Sequence, residues 1–362
     1  MEIKDLTIEE KVGQMIMVGL DGNNVTKRME KLIVQHKIGG VILYRKNFKT
    51  YEDMVKLISD LKKANQSNKI PLFIAIDQEG GRVNRMPPEI LNLPAPFKII
   101  KQNDINLIKE SANIIATILK KSGFNLDFAP VLDIKRFDDN HAIGDRCYGE
   151  NKEQVLKFGI PVMKELKSQQ ILSVVKHFPG HGATKKDSHF FLPKIKTDIK
   201  ILEKEDMDVF GQAIKEGADA VLVGHLIVKG ANEIYPASLS RRFITKYIRK
   251  KYRYNKLIIT DDMKMKSIRF IYGTQFAIKK AFEAGNDIIV FRLNEKEEEK
   301  AINNIVRLAK ENRIKENRIN KSVERIIKIK EKYEITDEPV IDDLDIEGIN
   351  KRIERIRNIV LK

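Results

Sequence analysis

Ionisable residues in this chain fall repeatedly at the ends of short apolar runs. Asp77 follows LFIAI, Asp133 follows FAPV, Lys176 and His177 end SVVKH, His225 follows VLVG, and Asp261 with Asp262 follows LIIT. One such group could be a satisfied polar residue of the core. Five converging on one rim do not serve packing alone, because each buried charge needs a partner. Acid–base chemistry is the natural use of such a set, and the histidines sharpen it. Three of the six, His177, His181 and His189, lie within one stretch, KHFPGHGATKKDSH. Zinc is the first alternative, but the spacing is not HExxH and no acidic residue stands as the usual third ligand. In Asp187-Ser188-His189, Asp and His two apart on an extended loop point the same way. A carboxylate there orients the imidazole and raises its proton affinity; a plain surface Asp–His hydrogen bond is the blander use. Gly180 and Gly182 read as hinges that let this loop close over a ligand.

The elements that must position these groups are eight apolar runs: 14–20, 40–44, 72–76, 126–131, 171–178, 220–225, 257–260 and 287–291. They are rich in Val, Ile and Leu without clean alternation, which suits parallel strands buried on both faces. Helical spacing fills 51–64, 106–121, 152–168, 199–216, 241–251, 274–284 and 295–311. Eight strand–helix units predict an α/β fold, a (β/α)8 TIM-type barrel, whose active residues lie at the C-terminal strand ends. A doubly wound open sheet is the competitor. Residues 1–335 are expected to form the barrel domain. Residues 336–362 are expected to form a tail with a short amphipathic helix, INKRIERIRNIVLK, that packs back on the barrel or on another subunit.

Bulk composition narrows the partners. The chain has 362 residues, 42% hydrophobic, with a formal charge of +16. No basic run is interleaved with aromatics, so the charge reads as solvated helix faces and not as a nucleic-acid site; attraction to an acidic polymer is the alternative. One Cys excludes an internal disulfide, and packing is the default for Cys147. The charged N-terminus has no secretory h-region. No apolar run reaches the about 20 residues of a membrane span. A cytoplasmic location is expected, with no nucleic-acid partner and no membrane span.

The stretches LTIEEKVGQMIMVG, GGVILYRKNF, IDQEGGRVNRM, NLDFAPVLDI, GDRCYGEN, KHFPGHGATKKDSH, VGHLIV, PASLS and ITDDMKMKSI follow one another from about residue 6 to about 295. In that order they resemble glycoside hydrolase family 3, specifically its β-N-acetylglucosaminidase branch. The resemblance implies a retaining exo-β-N-acetylglucosaminidase acting on peptidoglycan- or chitin-derived oligosaccharides or muropeptides. Asp261 would be the nucleophile and His189, paired with Asp187, the acid/base, where most retaining enzymes use a second carboxylate. Asp262 would face away as a structural residue. Asp77, Arg85, Arg146, Lys176 and His177 would bind the sugar. Arg82 and Arg85 could instead pair with Glu79 or Asp133. No metal or cofactor is implied, and the oligomeric state stays open with a monomer as the default. A phosphorylase passing the sugar to phosphate, a β-glucosidase and a non-catalytic sugar binder are the competing functions. Gly80 and Gly81 read as a tight turn, His181 as structural in its loop, and His225 as a pocket wall or a buried, hydrogen-bonded residue. His36 and His141 carry no signal.

Overall fold

The computed structural model describes residues 3–184, 192–231, 233–341 and 343–361. Its strands are β1 (Ile16–Gly19), β2 (Gly40–Ile42), β3 (Phe73–Ile76), β4 (Leu126–Asp127), β5 (Leu172–Phe178), β6 (Lys194–Ile195), β7 (Ala220–Val223), β8 (Ile227–Val228), β9 (Leu257–Thr260) and β10 (Ile289–Phe291). β6 and β8 pair with each other; the other eight run in the order β10-β1-β2-β3-β4-β5-β7-β9, every neighbour parallel. Ile259 bridges to Ile288, and the Thr260 N–H donates to the Ile288 carbonyl at 3.0 Å. The sheet therefore closes into a (β/α)8 barrel, and the open doubly wound sheet is excluded. The eight apolar runs of the sequence are the eight barrel strands. All seven residues of β5 are buried, as are all four of β1, β3, β7 and β9. That two-sided burial is why their side chains do not alternate in polarity.

Helices surround the barrel where 3.6-residue spacing and caps coincide. Thr50 and Asp53 form a reciprocal capping box at the start of Tyr51–Asn65, and the side chains of Asp104 and Asn151 cap Ile105–Lys121 and Lys152–Ser168. The run 199–216 was expected as one helix, but it breaks at Glu205 into Ile199–Lys204 and Asp206–Lys215. Asp206, at the start of the second helix, is buried and pairs there with Arg136 at 2.7 Å.

The C-terminal helix Ile346–Val360 packs back on the barrel. Ile349, Ile353 and Ile356 are buried along one face, and Arg352 and Arg355 both reach Glu110. At the opposite mouth from the strand ends, Asp219 gathers Lys256 at 2.6 Å, Lys332 at 2.7 Å, Lys167 at 3.1 Å and the Tyr333 hydroxyl at 2.8 Å. No described helix is long and apolar enough to cross a membrane.

Candidate active site

The C-terminal ends of the strands enclose a cavity of about 360 Å³ bordered by Asp77, Arg85, Arg146, Lys176, His177 and Asp261, together with Tyr44, Arg82, His141, His181 and Asp262. Every described residue expected to bind sugar or attack it thus borders one space. Asp187 and His189 lie outside the described residues.

The segment after β3 supplies the first wall. Gly80 and Gly81 adopt φ of 85° and 57°, and the Glu79 N–H donates to the Val83 carbonyl at 3.0 Å, closing a tight turn. A Cβ on Gly81 would come within 2.7 Å of Ala95. The Gln78 amide oxygen accepts the Arg85 N–H at 2.7 Å, which fixes Arg85 beside Asp77. The Arg85 guanidinium makes no hydrogen bond or ion pair among the described residues, so neither Glu79 nor Asp133 neutralises it. Arg82 is paired, but with Asp145 at 3.1 Å and the carbonyls of Ala142 and Ile143, not with Glu79 or Asp133.

Glu79 is the organising carboxylate, and the sequence offered it only as a partner for Arg82 or Arg85. It accepts Lys176 at 2.6 Å and both Nε and Nη2 of Arg146, at 2.7 and 2.6 Å. Burial alone would raise its carboxyl, but the Arg146 guanidinium and the Lys176 ammonium outweigh it and hold Glu79 well below the usual carboxylate range. Lys176 also donates to Asp77 at 2.7 Å. Burial opposes its charge, yet Asp77 and Glu79 together raise its pKa. Three of the five Arg146 N–H groups are engaged, the third by the Ala142 carbonyl, which leaves the others for a ligand.

Asp133 orients the next wall from behind. Its carboxylate lies 2.7 Å from His177 Nδ1 and accepts the His181 N–H at 2.6 Å. Burial would raise the Asp133 carboxyl, but His177 lowers it further. Burial and the neighbouring His177 push His181 down to about 4, so its imidazole is neutral near pH 7. Gly180 and Gly182, read from the sequence as hinges, both lie close against neighbouring groups. A Cβ at Gly180 would meet Asp206 at 2.5 Å, and one at Gly182 would meet the Ile134 carbonyl at 1.8 Å. They let the loop root press against its neighbours. Asn140 holds that root too, donating to the carbonyls of His181 and Thr184 at 3.2 and 2.8 Å.

Asp261 follows β9, its N–H bonded to the Val223 carbonyl at 3.1 Å and its Oδ1 accepting the Asp262 N–H at 2.8 Å. Asp262 was expected to face away, but it borders the same cavity. β9 ends at Thr260, so strand alternation does not govern the pair. Burial raises the Asp262 carboxyl to about 6. His225 is a buried, hydrogen-bonded residue and does not border the cavity. Cys147 is buried, with its thiol pushed up to about 11 by burial. His181 was expected to be structural in its loop, yet it borders the cavity; Tyr44, at the end of the run 40–44, and His141, which carried no sequence signal, border it too.

The chain is similar to known proteins along most of its length. It is 31% identical over 329 residues to β-hexosaminidase A of Pseudoalteromonas piscicida, a match covering 84% of this chain and 55% of that protein. It is 30% identical over 281 residues to a β-hexosaminidase of Methylobacillus flagellatus, covering 76% of this chain and 79% of that one. The glycoside hydrolase family 3 β-N-acetylglucosaminidase structure from Paenibacillus sp. str. FPU-7 superposes with a TM-score of 0.92 at 32% identity, covering 97% of this chain and 68% of the other. This chain thus spans about half the length of the Pseudoalteromonas protein. Residues 7–329 match the glycosyl hydrolase family 3 N-terminal domain, and the chain belongs to that family.

Proposed function

We propose that the protein is a retaining exo-β-N-acetylglucosaminidase that releases terminal N-acetylglucosamine from peptidoglycan- or chitin-derived oligosaccharides. The observation that carries this reading is the presence of Asp261 on the wall of the same small cavity as Asp77, Arg85 and Lys176. A cavity of about 360 Å³ closed below by the barrel core suits one terminal sugar entering end-on. Asp77 would accept from ring hydroxyls, while Arg85, Lys176, His177 and the remaining N–H groups of Arg146 would donate to oxygens.

In the first step the Asp261 carboxylate attacks the anomeric carbon as the glycosidic C–O bond breaks, and the leaving oxygen takes a proton from His189. In the second, His189 removes a proton from water, the water oxygen attacks the same carbon, and the Asp261 ester bond breaks. Asp187 orients His189 in both. An imidazole suits the two roles because it titrates near neutral pH.

The test compares 4-nitrophenyl N-acetyl-β-glucosaminide with the β-glucoside, with and without phosphate. A higher kcat/KM on the acetamido sugar, with free sugar as product in both buffers, is expected. A preference for the glucoside, or sugar 1-phosphate as product, would overturn it. Asp261→Asn should abolish covalent labelling by a slow 2-fluoro glycoside, read by intact mass.

A further inference from the structure

Beside Asp261 stands a buried hydrogen-bonded clamp that the reaction described above does not use. His225 and Ser238 are both 0% exposed. His225 Nε2 lies 3.1 Å from the backbone carbonyl oxygen of Asp262, and Nδ1 lies 2.7 Å from Ser238 Oγ. A carbonyl oxygen only accepts, so Nε2 must carry the hydrogen. In the neutral ring Nδ1 is then an acceptor, and the Ser238 hydroxyl is its donor. Ser238 is anchored in turn: its carbonyl accepts from Asn286 Nδ2 at 2.9 Å, and Asn286 is also 0% exposed.

The clamp acts where β9 has run out. Past Thr260 the chain keeps two backbone bonds to the barrel, Asp261 N–H to Val223 and Met263 N–H to Val290. Between them, the Asp262 N–H donates to Asp261 Oδ1 at 2.8 Å, and the Asp262 carbonyl accepts from the Met265 N–H at 3.0 Å and from His225. Rotation of the Asp262 backbone would carry its N–H away from Asp261 Oδ1. A ring fixed at both nitrogens opposes that rotation, and a loop-borne nucleophile gains most from such support.

We propose that His225, held by Ser238 as the Nε2–H tautomer, is a positioning residue that sets the aim of the Asp261 carboxylate. This rests on Asp261 being the nucleophile. The sugar-holding groups Asp77, Arg85 and Lys176 belong to other strands, so the effect falls on kcat and not on KM.

The experiment pairs His225→Phe, which fills the space without a donor, with His225→Gln, whose amide N–H reaches the position of Nε2. Ser238→Ala removes the anchor. With concentrations corrected for folded protein, His225→Phe should lower kcat at least tenfold with KM within twofold. His225→Gln should recover most of kcat, and Ser238→Ala should fall between them. Selective ¹⁵N-histidine NMR of the unliganded wild type, assigned with the His225→Gln variant, should show Nε2 protonated and Nδ1 bare. A wild-type kcat in folded His225→Phe, a gain in KM equal to the loss in kcat, or an Nδ1–H or doubly protonated ring would overturn the proposal. If the wild type releases no sugar while NMR shows the expected tautomer, the functional reading fails and takes the kinetic claim with it; the wrong tautomer in an active enzyme overturns the clamp alone.

Discussion

Lys176 and Glu79 form an ion pair at 2.6 Å with both side chains 2% exposed. No other ion pair among the described residues has both side chains so far removed from water. The pair stands because each charge is met again, Lys176 by Asp77 and Glu79 by Arg146. Buried ion pairs are weak evidence for net stability, but removing one partner strands the other.

Glu79→Ala should therefore destabilise the fold by about 3–5 kcal/mol, because Lys176 and Arg146 both lose a buried counter-charge. Urea unfolding of the two proteins measures it. A loss below 1 kcal/mol would show that Asp77 alone can hold both cations.

Arg85→Ala should leave stability unchanged within about 0.5 kcal/mol, since its guanidinium has no ion-pair partner among the described residues. Its kcat/KM should fall roughly ten- to a hundredfold, the worth of a charge-assisted hydrogen bond of about 1.5–3 kcal/mol. Arg82→Ala, which loses the exposed pair with Asp145 and the bonds to the Ala142 and Ile143 carbonyls, should change kcat/KM far less. Equal losses in the two variants would contradict this division.

Acid should weaken the fold through Asp219. Burial raises its carboxyl, but Lys256, Lys332 and Tyr333 outweigh burial and bring it down from 3.8 to about 2. A carboxyl depressed in the folded state binds fewer protons than in the unfolded chain between those values. Its contribution is present above about pH 4 and is lost as pH falls towards 2. Asp219→Asn should be less stable at pH 7 and should show a shallower loss between pH 4 and 2, followed by denaturation at fixed pH. Parallel curves for the two proteins would remove Asp219 from the acid limb.

The tail helix should contribute through its apolar face. Ile353→Ala removes a side chain 1% exposed and should cost about 2–4 kcal/mol. Exposed Ile359, 47% exposed on the same helix, should tolerate alanine within about 0.5 kcal/mol. Similar effects at both positions would mean that the helix does not dock as described.

Much of this protein is determined by local pattern alone. Eight apolar runs without alternation demand strands buried on both faces, and strand–helix repetition then leaves few arrangements besides a closed parallel barrel. Asp77, Lys176, His177 and Asp261 were legible for the same reason: each ends a strand, and all strand ends of a parallel barrel meet at one mouth. What pattern could not decide are partners, which depend on approach across the sequence. Glu79 lies three residues past the strand end, and the turn at Gly80 and Gly81 follows it where it meets Lys176 and Arg146. Asp262 escapes strand alternation because β9 stops at Thr260. At Gly180 and Gly182 the pattern showed only glycine; that each leaves room for a neighbouring group that a Cβ would strike is a fact of the tertiary packing. His225 shows the limit best, since its role is set by Ser238 and Asp262, thirteen and thirty-seven residues away. Hydrogen bonds of that range are products of the closed barrel, and no periodicity in the chain encodes them.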